Sequence, residues 1–253
     1  MAKIIINADD CGYSQHVNQH IEHAIVKGRI SSTTIMANMN DYEGALRLYN
    51  QYAGSVSFGF HINLTEGSPL RKSQLLIDTG FYQEKEGNVI FNAQPFRRKY
   101  LAKSVREEIY KEVMAQATRL RDSGVKISHI DGHHFIHQSV FMFPILPKLC
   151  KTIGVHKIRT YRNYMPLTIN RVLRDRWKDI IRLQDGKAVF TDWFTSFEDF
   201  CRYGEDNKTF YKSGDVVELM CHPGGRNERE ESLLLNTDVE KLFDSKLINY
   251  NTI

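Results

Sequence analysis

The chain has 253 residues, 42% hydrophobic and 25% charged, which suits one large domain with a buried core and excludes a disordered or low-complexity protein. A formal net charge of +4 from 34 basic and 30 acidic residues leaves no nucleic-acid footprint, and the densest basic cluster, Arg97-Arg98-Lys99, reads as a solvated loop. Cys11, Cys150, Cys201 and Cys221 form neither a C-x-x-C pair nor a disulfide framework, and no signal core or membrane-spanning run is visible, so a cytoplasmic protein is expected.

Ile4 to Ala8 is an apolar, β-branched run that reads as a buried strand. A helix follows, with Ser14 as its cap, Val17, Ile21, Ala24 and Ile25 as its apolar stripe, and Gly28 as its left-handed stop. Ile30 to Met39 predicts a second strand, Tyr42 to Tyr52 a second helix, and Ser55 to Leu64 a third strand ending in His61-Ile62-Asn63-Leu64-Thr65-Glu66-Gly67. Residues 67 to 102 lack periodicity and carry Pro69, Gly80, Gly87 and Pro95, so an irregular insertion is expected there. Ser104 and Glu107 have the spacing of a capping box for a helix that stops at Gly124.

Val125 to Asp131 predicts a fourth strand running into Gly132-His133-His134. A helix at 140 to 153, a strand from His156 to Tyr161, a helix at 170 to 182 and a strand from Val216 to Met220 continue the alternation; the rest of 163 to 214 carries little signal. Strand then helix, repeated about six times, predicts a parallel α/β sheet or barrel. Asp9-Asp10, His61, His133 and His222 all fall at the C-terminal side of these strands, the edge on which such folds build their sites.

One Asp and two His suffice to hold a divalent cation with a position left open, and a second carboxylate beside them can take a proton from water. Asp9 and Asp10 could divide those tasks, or form a strand-end turn or helix cap. His61 suits a ligand after a buried run and also a structural histidine; His133 competes with His129, His134 and His137. Alternation places His129, Asp131 and His133 on one face, making Asp131 a partner for a ligand imidazole or a cap for the next turn. His16, His20 and His23 share a helix flank without a nearby acid in a ligand pattern. His222 fits a general acid or a turn histidine, and Cys221, on the opposite face by alternation, does not pair with it as a nucleophile.

Asn7-Ala8-Asp9-Asp10-Cys11-Gly12 resembles the N-A-D-D-F-G opening of the YdjC-like, ChbG-type carbohydrate deacetylases, and Ser31-Ser32-Thr33-Thr34 resembles their second-strand segment. His61 to Gly67 resembles H-x-N-L-T-x-G, His129 to His137 resembles H-x-D-S/G-H-x-H-V-H, and Glu218 to Pro223 resembles E-x-M-C-H-P. The resemblance covers almost the whole chain in the same order. It implies one deacetylase domain over 1 to 253, built as a distorted, seven-stranded (β/α) TIM-like barrel with its active site at the C-terminal strand ends.

By position the resemblance further implies Asp10, His61 and His133 as ligands of one divalent ion, Mg2+ or Zn2+, Asp9 as base and His222 as acid. Cys11 and Phe135 depart from the pattern, standing where Phe and His are usual. The implied reaction removes acetyl groups from N-acetylglucosamine units of a chitin-derived di- or oligosaccharide. The implied partner is a small N-acetylated sugar, with no membrane or nucleic acid, and a homodimer stays open. Arg159, on the strand after the third motif, would orient Asp9 or a substrate anion, or be a surface charge. Another metallohydrolase on the same scaffold and a non-catalytic sugar-binding protein are the competing readings.

Overall fold

Ile4, Ile5 and Ile6 are consecutive and all buried, so the first strand is covered on both faces, as parallel sheets between helices are. The computed structural model describes residues 1–94, 100–164, 169–203 and 211–253; the Arg97-Arg98-Lys99 cluster lies outside them. In chain order the elements are β1 (Ala2–Cys11), α1 (Gln15–Val26), β2 (Ser32–Ile35), α2 (Tyr42–Tyr52), β3 (Ser57–Ile62), α3 (Gln74–Asp78), β4 (Tyr82–Lys85), β5 (Asn88–Phe91), α4 (Lys103–Asp122) and β6 (Ile130–Gly132). There follow α5 (Ile145–Ile153), β7 (Lys157–Ile158), α6 (Ile169–Gln184), β8 (Val189–Phe190), β9 (Trp193–Ser196), α7 (Phe197–Tyr203), β10 (Val216–Cys221), α8 (Glu228–Asn236), α9 (Val239–Phe243) and β11 (Ser245–Leu247).

The main sheet runs β8-β7-β6-β3-β2-β1-β10-β9, with β11 added beside β1, and every pair in it is parallel. Among the described residues its path therefore has eight strands where seven are expected. Two of them, β7 and β8, are only two residues long, and counts turn on such short bridges. The sheet curls: beyond β7, Asn163 Nδ2 donates to Asp192 O (2.7 Å) and its Oδ1 accepts from Phe194 N (2.9 Å), tying that loop to β9 at the far end of the path. This is an α/β fold of the distorted TIM-like kind.

α1 forms as its stripe predicts, with Ser14 Oγ accepting from Val17 N at 3.2 Å and Gly28 at φ +64° ending it; α2 has the expected limits. The Ser104 capping box does not form. α4 starts one residue earlier, behind Ala102, so Ser104 lies inside the first turn. The predicted fourth strand shortens to β6, and the predicted helix at 140 to 153 divides into a 3-10 turn (Val140–Met142) and α5, with Pro144 between them at the N-cap. Among the described residues of the stretch 67 to 102, residues 67 to 94 are less irregular than expected, since they contain α3 and the β4–β5 hairpin. That hairpin closes through Glu86 (φ 52°) and Gly87 (φ 78°), a two-residue turn of the type that needs both central residues left-handed.

Candidate metal centre

β1 brings both acids of its end to one region by breaking its own alternation. Asp9 and Asp10 would face opposite sides of a regular strand. The register with β2 shifts between Ala8 and Cys11, and Asp10 takes φ 68°, a β-bulge conformation that a non-glycine residue adopts only under tertiary constraint. From there Asp10 Oδ1 lies 2.9 Å from His133 Nδ1 and 3.3 Å from His61 Nε2. His61 comes from β3, and His133 opens the 3-10 turn (His133–Gln138) directly after β6. One donor atom from each of the three residues falls within 4.8 Å of the others.

Two features fit a divalent cation in this triad. His61 Nε2 is buried and makes no hydrogen bond, although it faces Asp10; a buried polar atom normally has a partner. The second is charge. Burial disfavours a protonated His61, yet the carboxylates of Asp131, Asp10 and Asp9 outweigh it and push the imidazole up to about 10. A proton thus balances negative charge that a cation would balance when bound. One carboxylate oxygen with two imidazoles suits a borderline ion such as Zn2+ better than Mg2+, which prefers oxygen donors.

Beneath the triad, Arg159 follows β7 and is fully buried. Its Nη1 and Nη2 donate to Asp9 Oδ2 and Oδ1, both at 2.6 Å; Nη2 also lies 2.9 Å from Asp131 Oδ2, and Nε donates to Glu218 Oε1 at 2.7 Å. Those contacts engage the guanidinium with three carboxylates, so Arg159 is a buried partner of Asp9 rather than a surface charge. Desolvation would raise the Asp9 pKa, but Arg159 draws it down to about 2. Asp9, His61 and Asp131 also form a compact cluster; with Arg159 already between its two acids, it reads as scaffold.

Asp131 Oδ1 lies 2.7 Å from His61 Nδ1, the contact that fixes a ligand imidazole so that its other nitrogen faces outward. Several partners in this layer were not singled out by sequence reasoning. Thr34 Oγ1 donates to Asp131 Oδ2 (3.1 Å), Asn7 Nδ2 donates to Asp9 Oδ1 (2.8 Å), and Tyr250 Oη donates to Glu218 Oε2 (2.5 Å). Asn7, Thr34 and Glu218 stand inside the quoted motifs, which was their available signal; Tyr250 had none.

Of the competing histidines, His134 lies beside His133 with ring centroids 4.0 Å apart, while the other two are held elsewhere. His129 stacks on Tyr250 with ring centroids 3.6 Å apart, and its Nε2 lies 3.2 Å from Asn7 Oδ1. His137 is buried, and desolvation pulls it down to about 3, so it is neutral at ordinary pH. His16 and His20 pack against each other, His20 pairs with Glu231, and they form no donor triad among the described residues. The Cys221 thiol is buried and held well above its ordinary pKa by desolvation, which removes it as a nucleophile.

His222 follows β10, its side chain 37% exposed, with Nδ1 3.5 Å from Glu230 Oε2. The same carboxylate accepts from His222 N at 3.2 Å, and Glu231 Oε2 accepts from Gly224 N at 3.2 Å, so α8 grips the turn from both sides. Desolvation would lower His222, but Glu230 and the charges of Asp9 and Asp10 push it up to about 9. The arrangement therefore joins a group of donors able to hold a cation, a buried carboxylate locked to an arginine, and a histidine that carries a proton at neutral pH.

The profile of the YdjC-like protein family matches residues 3–247. A carbohydrate deacetylase of Brevibacillus brevis is 32% identical over 228 residues, which are 89% of this chain and 83% of the relative. One from Geobacillus stearothermophilus is 30% identical over 221 residues, 87% of this chain and 78% of the relative. A solved structure from Enterococcus faecalis V583, provisionally described as a cellobiose-phosphate cleavage protein, superposes with a TM-score of 0.76 at 22% identity, covering 99% of this chain and 98% of that one. At that identity the likeness speaks for the fold alone.

Proposed function

The chain belongs to the YdjC-like protein family, and from that premise we propose that it is a metal-dependent carbohydrate deacetylase acting on N-acetylglucosamine units of small chitin-derived saccharides, in one catalytic unit. The observation that carries the reading is the convergence of Asp10, His61 and His133 from three strand ends around an orphaned, buried imidazole nitrogen. The curated relatives named above are carbohydrate deacetylases, and the site has the parts amide hydrolysis requires. Four unpaired cysteines accord with a reducing compartment such as the cytoplasm; among the described residues no helix is long and apolar enough to cross a membrane.

Asp10, His61 and His133 would hold the ion, with Asp131 keeping the His61 ring turned outward. When bound, the ion polarises the amide carbonyl and acidifies a water. Asp9 takes the water proton: Oδ2 accepts from Arg159 and retains a further lone pair. A carboxylate held at about 2 is a weak base and would depend on a bound cation to make that water more acidic, while Arg159 contributes aim rather than basicity. His222, protonated up to about 9, delivers its proton to the departing amine. Acetate release across a panel of N-acetylated mono- and oligosaccharides tests the reading; binding without acetate from any of them would reject it.

The ligand set makes its own expectation. His61→Ala and His133→Ala should each lower bound cation by about ten-fold or more in affinity, while His129→Ala, whose ring contacts Asn7 and Tyr250, should retain it. Elemental analysis of the dialysed proteins ranks them, and the reverse order would remove His61 and His133 from the site.

Glu230 gives a pH expectation. Because its carboxylate raises His222, the protonated form required of an acid is present below about pH 9 and lost above it. Glu230→Gln should move the alkaline limb of turnover down toward the ordinary histidine value of about 6.5, and the His222 ring resonances should titrate with it. Stability has the same sign: the contribution from the raised His222 is fully present near the ordinary histidine value of about 6.5 and is lost as pH rises through about 9. An unmoved limb in Glu230→Gln would show that another group supplies the proton.

A further inference from the structure

Beside the triad stands a second set of donors that neither the proposed mechanism nor the family motifs use. Glu66 follows β3 in the variable place of H-x-N-L-T-x-G, and His134 holds the variable place after His133. Glu66 Oε1 lies 3.6 Å from His133 Nε2 and 3.7 Å from His134 Nε2. A tetrahedral ion with ligands at about 2.1 Å sets its donors about 3.4 Å apart, so these spacings nearly match a cation's requirement.

Two observations aim these atoms at a common point. His133 is 8% exposed, and its Nε2, on the side facing Glu66, is buried without a hydrogen-bond partner. His134 is held at φ 52°, with Thr65 Oγ1 3.0 Å from its Nδ1, which leaves Nε2 for the Glu66 side. Thr65, Glu66 and Gly67 line an open groove toward the β4–β5 hairpin, so the place is reachable from solvent.

We propose that Glu66, His133 and His134 form a second, outer seat for a transition-series divalent cation, sharing His133 with the inner one. Two imidazoles and one carboxylate select ions of the Zn2+ type over Mg2+ or Ca2+. A neutral imidazole has one lone pair. His133 therefore serves the inner seat through Nδ1, 2.9 Å from Asp10, or the outer seat through Nε2, but not both. Cation in excess loads the outer seat and draws His133 from the inner one, making the metal an activator at one equivalent and an inhibitor beyond it. The regulatory part rests on the inner seat being the catalytic one; the binding part does not.

Calorimetric titration of Zn2+ into metal-free full-length protein separates the two. Wild type should show a tight event and a second, weaker one. Glu66→Gln and His134→Asn, the latter chosen because Asn tolerates the left-handed backbone, should each keep the first event and weaken the second at least about ten-fold. Their acetate release should also resist excess Zn2+ that inhibits wild type. A single Zn2+ event in wild type, or a second event unchanged in both variants, overturns the outer seat. Loss of the first event in Asp10→Asn with no acetate from any protein would instead count against the deacetylase reading and leave the outer seat standing.

Discussion

Asp10→Asn should lose cation and turnover together, whereas Asp9→Asn should keep the cation near wild-type content and lose turnover by about 100-fold or more, the usual size of general-base assistance. The two residues are neighbours, yet the bulge at Asp10 gives them different surroundings. Asp10 faces His61 and His133, so losing its charge removes a ligand. Asp9 faces Arg159 with both oxygens, so its loss leaves the triad intact. KM should change less than kcat in Asp9→Asn, because a proton acceptor matters mainly in the transition state. Metal content and acetate kinetics on both variants decide it. If Asp9→Asn loses the metal and Asp10→Asn keeps it, the roles are exchanged.

The second large effect is on stability. Arg159→Met should destabilise the fold by about 3–5 kcal/mol, since removing one partner of a buried ion pair leaves its carboxylates uncompensated. At roughly 2–4 °C per kcal/mol for a chain of this size, the melting temperature should drop by roughly 6–20 °C. The effect has a pH signature. In wild type the depressed Asp9 pKa contributes stability at pH above the ordinary Asp value, lost as pH falls toward about 2. Without Arg159, desolvation drives the buried acids Asp9 and Glu218 toward their neutral forms, so the variant gains stability as pH falls. Melts of both proteins from about pH 8 to about pH 5 should converge; a gap constant across that range would show that Arg159 acts by packing alone.

How far the sequence foretells this site depends on the range of each interaction. The α1 stripe and its Ser14 cap are local, and they form as read. The strand ends that carry Asp10, His61 and His133 were visible as apolar runs stopping at polar residues. The bulge at Asp10 was not, because it arises from register with β2 rather than from β1 alone. Ser104 and Glu107 had the spacing of a cap, but packing begins α4 one residue sooner. The hairpin turn at Glu86-Gly87 lacks the usual Asn or Asp and passed as loop. Tyr250 with Glu218 joins residues 32 apart and had no signal in the sequence; Arg159 was one reading for a partner of Asp9, 150 residues away, and the fold decides between that and a surface charge.

Acetate release from the best N-acetylated sugar, measured on protein stripped by a chelator and again after one equivalent of divalent cation is returned, puts the reading of Asp10, His61 and His133 as a catalytic metal centre to the test. Acetate should cease on stripping, return with the cation in wild type, and fail to return in Asp10→Asn. Undiminished acetate release from the exhaustively stripped protein would contradict it.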